Sequence, residues 1–546
     1  MKTKIFSLLF AITVIVNMLY AEKVQVGDLY YNIDASTLTA EVTFKDRFDD
    51  VNYGNIKSVT IPQSVTKSGK TYSVTAIGDN AFVHCVQLAT VVIPSSVKSI
   101  GGNAFGYCSS LSSITIPESV EKIGGCAFYD CSSLTSIVLP DNLKELEGGV
   151  FMKCVQLGAV NIPNKVTTIG PGAFWGCWFL SKITLPDGVK TVESTAFKNC
   201  LSLQEISIGA NVAYFGSDAF LDCSNLQKIN ISNLRRWLTT DFANEKGNPL
   251  YYAKHLYLDN SEVVDLTIPA DVQTIHERVF IKGVFNTVTI PHTVDTIGKD
   301  AFADGQINSV NTDDLTHWYN IYFANEKSNP ISCSRKLLLN NIEVKELNIP
   351  VQVTTIGQYA FYGDELLEKV IVPQHVENIE SGSFGSCSKL DSAIIEHIDT
   401  TCVVGTSAFP FRTKVVLQCG NLSKFNEYSN WKSYSLCTLH PFEITCTKNI
   451  EEAGKITIVQ DCENVTLSAE ANENYIFIKW SDGVTDEIRE IVLTNDLSLE
   501  AEFASTEALG QITNDELPTT TKILRNGQIF ILRGDKTYTV TGQEVR

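Results

Sequence analysis

Phenylalanine falls at positions 82, 105, 128, 151, 174, 197 and 220, a spacing of 23 residues that does not slip. Three residues after each comes a cysteine: Cys85, Cys108, Cys131, Cys154, Cys177, Cys200 and Cys223. Three further on comes a leucine, from Leu88 to Leu226. A strict period of this length leaves few folds open. Each unit exposes apolar edges above and below that only a neighbouring unit can cover, so the chain must stack into a solenoid. We number the coils by these phenylalanines, from the first (Phe82) to the seventh (Phe220).

One unit, "LATVVIPSSVKSIGGNAFGYC" from Leu88 to Cys108, shows how a coil is built. Leu-x-x-Val-x-Ile alternates apolar and small residues and predicts a short strand. Pro94 closes it, because a residue without an N–H cannot extend a ladder, and Pro117, Pro140, Pro163 and Pro186 repeat the stop. Val97 and Ile100 supply two more inward anchors before Gly101, which is read as permitting a turn. Ala104 and Phe105 then begin a helical or irregular return to Cys108. Two outward rows follow from the alternation. One runs Val92, Thr115, Val138, Asn161, Thr184, Ser207, Asn230; the other runs Thr90, Ser113, Ser136, Ala159, Lys182, Glu205, Lys228.

Phe280, Phe302, Phe361, Phe384 and Phe409 extend the series, but two gaps, Phe220–Phe280 and Phe302–Phe361, are 60 and 59 residues long. Both contain the same text, "FANEKGNP" and "FANEKSNP", preceded by Trp237 and Trp318 and displaced by 81 residues. A module of one long and one regular unit was therefore duplicated. "LYLDNSEVVDLTIP" predicts a hairpin around Asp259 and Asn260. The two tryptophans are read as core of the enlarged coils.

The unit "LxxIxIPxxVxxIGxxAFxxC" resembles the BspA-like leucine-rich repeat, also called the Treponema pallidum type. So do the stretch from "GDLYYNI" to "GDNAF" before it and the closing "VVLQCGNLSKFNEYSNWKSY". The resemblance implies a leucine-rich-repeat solenoid with a short parallel β-strand in each coil. An N-terminal capping region is assigned to residues 22–60, and the solenoid with its terminal cap to 61–440.

Fifteen cysteines would ordinarily suggest disulfides in an exported chain. The seven in register, however, share one phase of the coil, so translation should point their side chains the same way into the core. A disulfide needs the two Cβ atoms turned toward each other. The column is therefore read as reduced thiols acting as small apolar residues.

Export is read from the start of the chain. Lys2 and Lys4 precede the apolar run 5–16 and the small residue Ala21, the pattern of a signal peptide over residues 1–21. No stretch is long and apolar enough for a transmembrane helix. The net charge of −19, without a basic block, disfavours nucleic acid and anionic membranes as partners. No nucleophile elbow, zinc-binding helix, phosphate loop or calcium loop is present. The eight histidines are scattered and no C-x-x-C pair occurs, so neither metal nor cofactor is expected, and the chain is not read as an enzyme.

Beyond the solenoid the period vanishes. Residues 441–504 predict a small all-β domain, and "YIFIKWSDG" with "LSLEAEF" resembles the bacterial repeat module related to internalin B-repeats, a stalk or spacer, with Trp480 in its core. Residues 505–520 read as a linker. Residues 521–546, punctuated by Asn526-Gly527, Gly534-Asp535 and Thr541-Gly542, predict a β-hairpin or small meander. They also resemble the C-terminal sorting tail of type IX secretion in Bacteroidota, which implies recognition by sorting machinery at the outer membrane and a cell-surface or extracellular location.

One coil departs from its neighbours. Where the second reads "AFGYCSSL", the fifth reads "AFWGCWFL", placing Trp175, Trp178 and Phe179 where Gly106, Ser109 and Ser110 stand. Exposed, they would form an apolar interaction patch. With Asn161, Lys182, Thr184, Glu205, Ser207, Lys228 and Asn230 of the outward rows they make up the candidate partner-binding set. The function expected is recognition of a protein ligand, adhesin-like. By family resemblance the ligand would be a host matrix protein such as fibronectin or fibrinogen, or another bacterium's surface. Capture of glycans is the alternative, and would call for aromatics with Asp or Asn neighbours, which the outward rows lack.

Overall fold

The structure is a computed structural model. It describes residues 22–45, 53, 55–398, 400–419, 421–428, 430–438 and 442–506, and the strand backbones 521–525, 528–533, 536–539 and 544–545. The signal-peptide segment, nearly all of the 505–520 linker and the three turn signals of the tail lie outside the described residues. The chain divides into two compact units: Met1–Val344 with Ile356–Leu366 and Gly382–Ser388, and Lys345–Thr355 with Leu367–Ser381 and Lys389–Arg546.

In the first unit each regular coil carries three lines of hydrogen bonds to its neighbours. The expected strand supplies the first: Ser113–Thr115 pairs in parallel with Ser136–Val138, Ile114 facing Ile137. A second, two-residue strand supplies another, as where Ser99–Ile100 pairs with Lys122–Ile123. Sequence reading placed Ile100 inside but did not see this strand, because two residues are too few to show an alternation. The return after it is not helical. It is a run of turns whose backbones pair across coils: Asn103 N donates to Gly125 O at 2.9 Å, Phe105 N to Ala127 O at 2.8 Å and Tyr107 N to Tyr129 O at 2.6 Å.

Two residues per return have left-handed backbones, for example Asn103 (φ 57°) and Tyr107 (φ 63°). Asn and Asp recur at these positions because their short polar side chains tolerate that region, and Gly because it has no Cβ. Gly101 has a different reason from the turn assigned to it. A Cβ there would lie 2.5 Å from the Asp79 backbone nitrogen, so it is the approach of the preceding coil that demands glycine.

Apolar residues at eight positions per coil point inward: Leu111, Ile114, Ile116, Val120, Ile123, Ala127, Phe128 and Cys131, after which Leu134 begins the series again. The phenylalanines stack in register, with Phe82–Phe105 at 5.3 Å, Phe105–Phe128 at 5.5 Å and Phe128–Phe151 at 5.6 Å between ring centroids. The column continues to Phe220. This continuous column is what a stack of identical coils requires.

The long units keep the stack and add to it. After the strand Lys228–Ile231 the chain makes a short helix, Leu234–Leu238, capped by the Asn233 side chain, before rejoining the second line at Asp241–Phe242. Trp237 is buried against Phe215 and Phe242, and Trp318 is buried with its indole N–H donated to Ala360 O at 2.8 Å. Both are core, as expected. Leu256–Leu258 and Ser261–Glu262 form the expected hairpin, with Asp259 and Asn260 both at positive φ.

In the second unit Glu346–Asn348, Lys369–Val372, Ser392–Ile395, Lys414–Leu417 and Ser435–Thr438 form one parallel sheet. The helix Leu422–Glu427 buries Phe425, and Trp431 donates its indole N–H to Cys402 O at 3.3 Å. Residues 444–505 form two three-stranded sheets around Val465, Leu467, Phe477, Trp480, Leu499 and Phe503. Trp480 is fully buried, as expected. A disulfide joins Cys419 to Cys462 and so ties the connection between the last two strands of the parallel sheet to this β module. Sequence reading did not pair these two, which share no period. The tail backbone is a four-stranded antiparallel meander, each strand pairing with the next.

Candidate interaction surface

The two outward rows are where alternation placed them. Thr90, Ser113, Thr115, Ser136, Ala159, Asn161, Lys182 and Thr184 are exposed, and Val138 is 69% exposed. In the sixth and seventh coils Glu205, Ser207, Lys228 and Asn230 of these rows are half-buried. Glu205 takes Lys182 at 3.0 Å on one side and Lys228 at 3.1 Å on the other. Hydrogen bonds from those two ammonium groups hold its carboxyl below the usual range. Lys228 also lies 5.2 Å from the centre of the Tyr257 ring.

Two asparagines of the candidate set are engaged with backbone. Asn161 accepts from Leu139 N at 2.9 Å and donates to Leu139 O at 3.3 Å. Its side chain thereby bonds the strand of the coil before, where Ala159–Val160 is only two residues long. Asn230 accepts from Asn260 N at 2.6 Å, holding the tip of the hairpin. Thr184 and Ser207 face each other across the pair Lys182–Leu185 and Glu205–Ile208.

The fifth-coil aromatics lie on the turn edge, off the strand rows. Trp175 is half-buried, with Lys198 of the sixth coil 5.0 Å above its ring. Trp178 is 48% and Phe179 55% exposed, and Leu201 of the sixth coil is 41% exposed. The backbone fixes their relation: Phe179 N donates to Val155 O at 3.1 Å, and Ser202 N to Trp178 O at 3.0 Å. Val155, Trp178, Phe179 and Leu201 thus form one patch across the fourth to sixth coils. The strand row of Lys182, Glu205 and Lys228 is a separate cluster.

A further group was missed from sequence. His84 stacks on Tyr107 at 4.3 Å, Tyr107 meets Tyr129 edge-on at 4.9 Å, and Lys153 lies 5.5 Å from the Tyr129 ring centre. Tyr107 and Tyr129, with Asp79, Asn80, Asn103 and Cys126, line a shallow groove of about 500 Å³. The signal was present as unlike residues in the positions just after each phenylalanine, which do not repeat and so carry no period.

The cysteine column is buried and reduced. Each thiol from the second coil on donates to the phenylalanine carbonyl of the preceding coil, Cys108 to Phe82 at 3.2 Å and Cys154 to Phe128 at 3.0 Å. Burial pushes the thiols from Cys85 to Cys200 in this column up, Cys85 to about 11. Raised pKa values mean protonated, unreactive sulfur, which suits a structural donor and not a nucleophile. Among the described residues no group of His, Cys, Asp or Glu is placed to hold a metal ion.

A stacked solenoid with open side-chain rows and an apolar turn edge defines a leucine-rich-repeat protein. The sequence matches the BspA type leucine rich repeat region over residues 51–178, 148–246, 252–343 and 332–466, and the chain belongs to that family. The repeats suggest protein–protein recognition. Among the described residues no helix is long and apolar enough to cross a membrane.

Among solved structures, a leucine rich cell surface protein from Faecalibacterium prausnitzii is 27% identical. That match covers 70% of this chain and 96% of the other, with a TM-score of 0.37. A leucine-rich repeat protein from Bacteroides ovatus is 22% identical over 76% and 99%, with a TM-score of 0.45. The leucine rich repeat protein of T. pallidum is 30% identical over 38% and 91%, with a TM-score of 0.33. No curated protein matches the chain.

Proposed function

We propose that this is a secreted or surface-anchored recognition protein that captures a protein ligand, adhesin-like, through the turn edge of its fourth to sixth coils. The observation that carries the proposal is the pair Trp178 and Phe179, both about half exposed where the second and third coils place two serines. Large aromatic side chains left in water cost free energy that a partner recovers by covering them, and tryptophan is the residue most enriched among energetic hot spots. Thr184 and the strand rows would offer a second, separate surface, on which Asn161, Asn230, Lys182, Glu205 and Lys228 are already bonded within the solenoid. Residues 1–21 would direct export. The segments 22–60, 61–440 and 441–504 would act as cap, recognition array and spacer, with 505–520 as linker and 521–546 as a sorting tail read at the outer membrane.

The glycan reading has one observation in its favour, the groove at Tyr107 and Tyr129 with Asn103. One face of the Tyr107 ring is stacked on His84, and Lys153 lies over Tyr129, so neither ring is left wholly open for a sugar. Protein capture therefore stands first. The test is binding of the full chain to immobilised host matrix proteins, fibronectin and fibrinogen included, against Trp175→Ser/Trp178→Ser. Loss of binding in the double variant with an unchanged melting curve supports the proposal; equal binding by both proteins overturns it.

A further inference from the structure

The turn edge of the fourth to sixth coils differs from its surroundings in charge as well as in apolar surface. Its three segments, "FMKCVQL" (151–157), "FWGCWFL" (174–180) and "FKNCLSL" (197–203), hold two lysines and no carboxylate. The third and seventh coils, which bracket them, carry Asp130 and Asp222 in the same phase. In a chain of net charge −19 this is a local reversal of sign.

The two lysines are positioned by the coil ladder. Lys153 N donates to Trp175 O at 2.7 Å, and Gly176 N donates to Lys198 O at 2.8 Å, so the backbones of Lys153 and Lys198 flank the fifth coil from either side, with the Lys153 ammonium 5.5 Å from the Tyr129 ring centre. Lys198 holds its ammonium over the Trp175 ring. In the separate strand row the carboxylate of Glu205 is taken by Lys182 and Lys228. Two rungs separate Lys153 from Lys198, roughly 10 Å at the spacing of neighbouring strands. An extended segment lying along the stack covers that distance in about three residues.

Resting on the recognition reading above, we propose that this edge takes an extended segment of a partner protein in which two carboxylates about three residues apart bracket an apolar or aromatic side chain. The apolar residue covers Trp178 and Phe179, and the carboxylates meet Lys153 and Lys198. An anionic lipid surface shares this chemistry but fits less well. Two lysines on a strongly acidic chain are too few to hold a membrane, whereas a peptide brings its charges to each ammonium individually.

The test is selection from a random-peptide phage library on the full-length protein, followed by titration of the enriched peptide as a synthetic ligand. Enrichment of paired Asp or Glu around Trp, Phe or Leu is expected. Trp178→Ala should weaken binding by about tenfold or more. Lys153→Ala/Lys198→Ala should weaken it severalfold, roughly as far as raising the salt from about 50 mM to about 500 mM does for the wild type. Thermal melts establish that each variant is folded, and Lys153→Arg/Lys198→Arg should restore binding should the alanine pair melt early.

Peptides that require Trp178 yet show no acidic bias, and are unmoved by the lysine variants, overturn this inference and leave the recognition reading standing. Selection that is indifferent to Trp178→Ala, or no selection at all, overturns both. Binding to vesicles of phosphatidylcholine with phosphatidylserine, lost in the same variants and without any peptide selected, assigns the edge to lipid and overturns the proposal.

Discussion

The thiol of Cys131 donates a hydrogen bond to the carbonyl oxygen of Phe105, one coil back, at 3.2 Å. The same carbonyl accepts Cys108 N within its own turn, also at 3.2 Å. One oxygen therefore closes a turn and ties two coils together, and the bond recurs from Cys108 to Cys223. Alanine at this position would leave a lone pair of the carbonyl unused and a void beside it. Cys131→Ala should cost about 1–2 kcal/mol, from the lost bond and the cavity together. Urea titration reads it. An unchanged midpoint would show that the thiol contributes packing the coil can replace.

Because burial raises the thiols of Cys85, Cys108 and Cys177 among others in the column, their folded values lie above their unfolded ones. The stability they contribute is therefore complete below the unfolded thiol value, near 8.5, and falls as the pH rises toward the folded values. Melting temperature should hold up to about pH 8 and then drop steeply, since each thiol adds to the proton difference. A replacement of Cys108, Cys131 and Cys154 by alanine should be less stable at neutral pH but show a shallower alkaline slope. Equal slopes would mean that other groups govern the alkaline limb.

Denaturing the protein without reductant and alkylating it should label every described cysteine except Cys419 and Cys462. Peptide mass analysis then reads the pairing directly. Loss of that one disulfide, through Cys419→Ser, opens a loop of 43 residues and should cost about 4 kcal/mol in the chain-entropy account of cross-links. The loss should appear as earlier proteolysis around residues 442–505, with the Phe82–Phe220 column unaffected.

Thr195 holds a left-handed backbone, φ 58°, at the position where the second coil has Asn103. A β-branched residue is poorly suited there, because its Cβ substituents crowd the backbone. Thr195→Asn should raise stability by about 1 kcal/mol, seen as a higher melting temperature. A decrease would mean that the bond from Thr195 Oγ1 to Ser194 O, at 2.7 Å, outweighs the strain.

Deleting a ring from the column should be severe. Phe128→Ala removes a fully buried side chain stacked on Phe105 and Phe151, and should cost about 3–5 kcal/mol. Phe128→Leu should cost far less, since the volume is largely kept. Similar losses for both would mean that ring stacking, more than volume, sustains the column.

The repeat made the solenoid, its inward residues, both outward rows and the reduced thiols legible without coordinates, because translation leaves one consistent way to bury Phe, Cys and Leu at a fixed period. Turn chemistry likewise located the Asp259–Asn260 hairpin, and the general preference of tryptophan for packing pointed to the core placement of Trp237, Trp318 and Trp480. What the sequence could not carry were relations between coils that obey no period. The two-residue second strands are defined by their partners, not by a pattern of their own. Gly101 is required by the approach of Asp79 from the preceding coil. Asn161, Asn230 and the Lys182–Glu205–Lys228 row read as free surface until neighbouring coils supplied their partners. Cys419 and Cys462 pair because the chain brings them within reach after 43 residues of unrelated text. Periodicity determined the coil, since burying apolar surface depends only on which residues face inward. Tertiary structure decided which polar groups are spent on neighbours and which stay open, since that depends on distances across coils that spacing along the chain does not set.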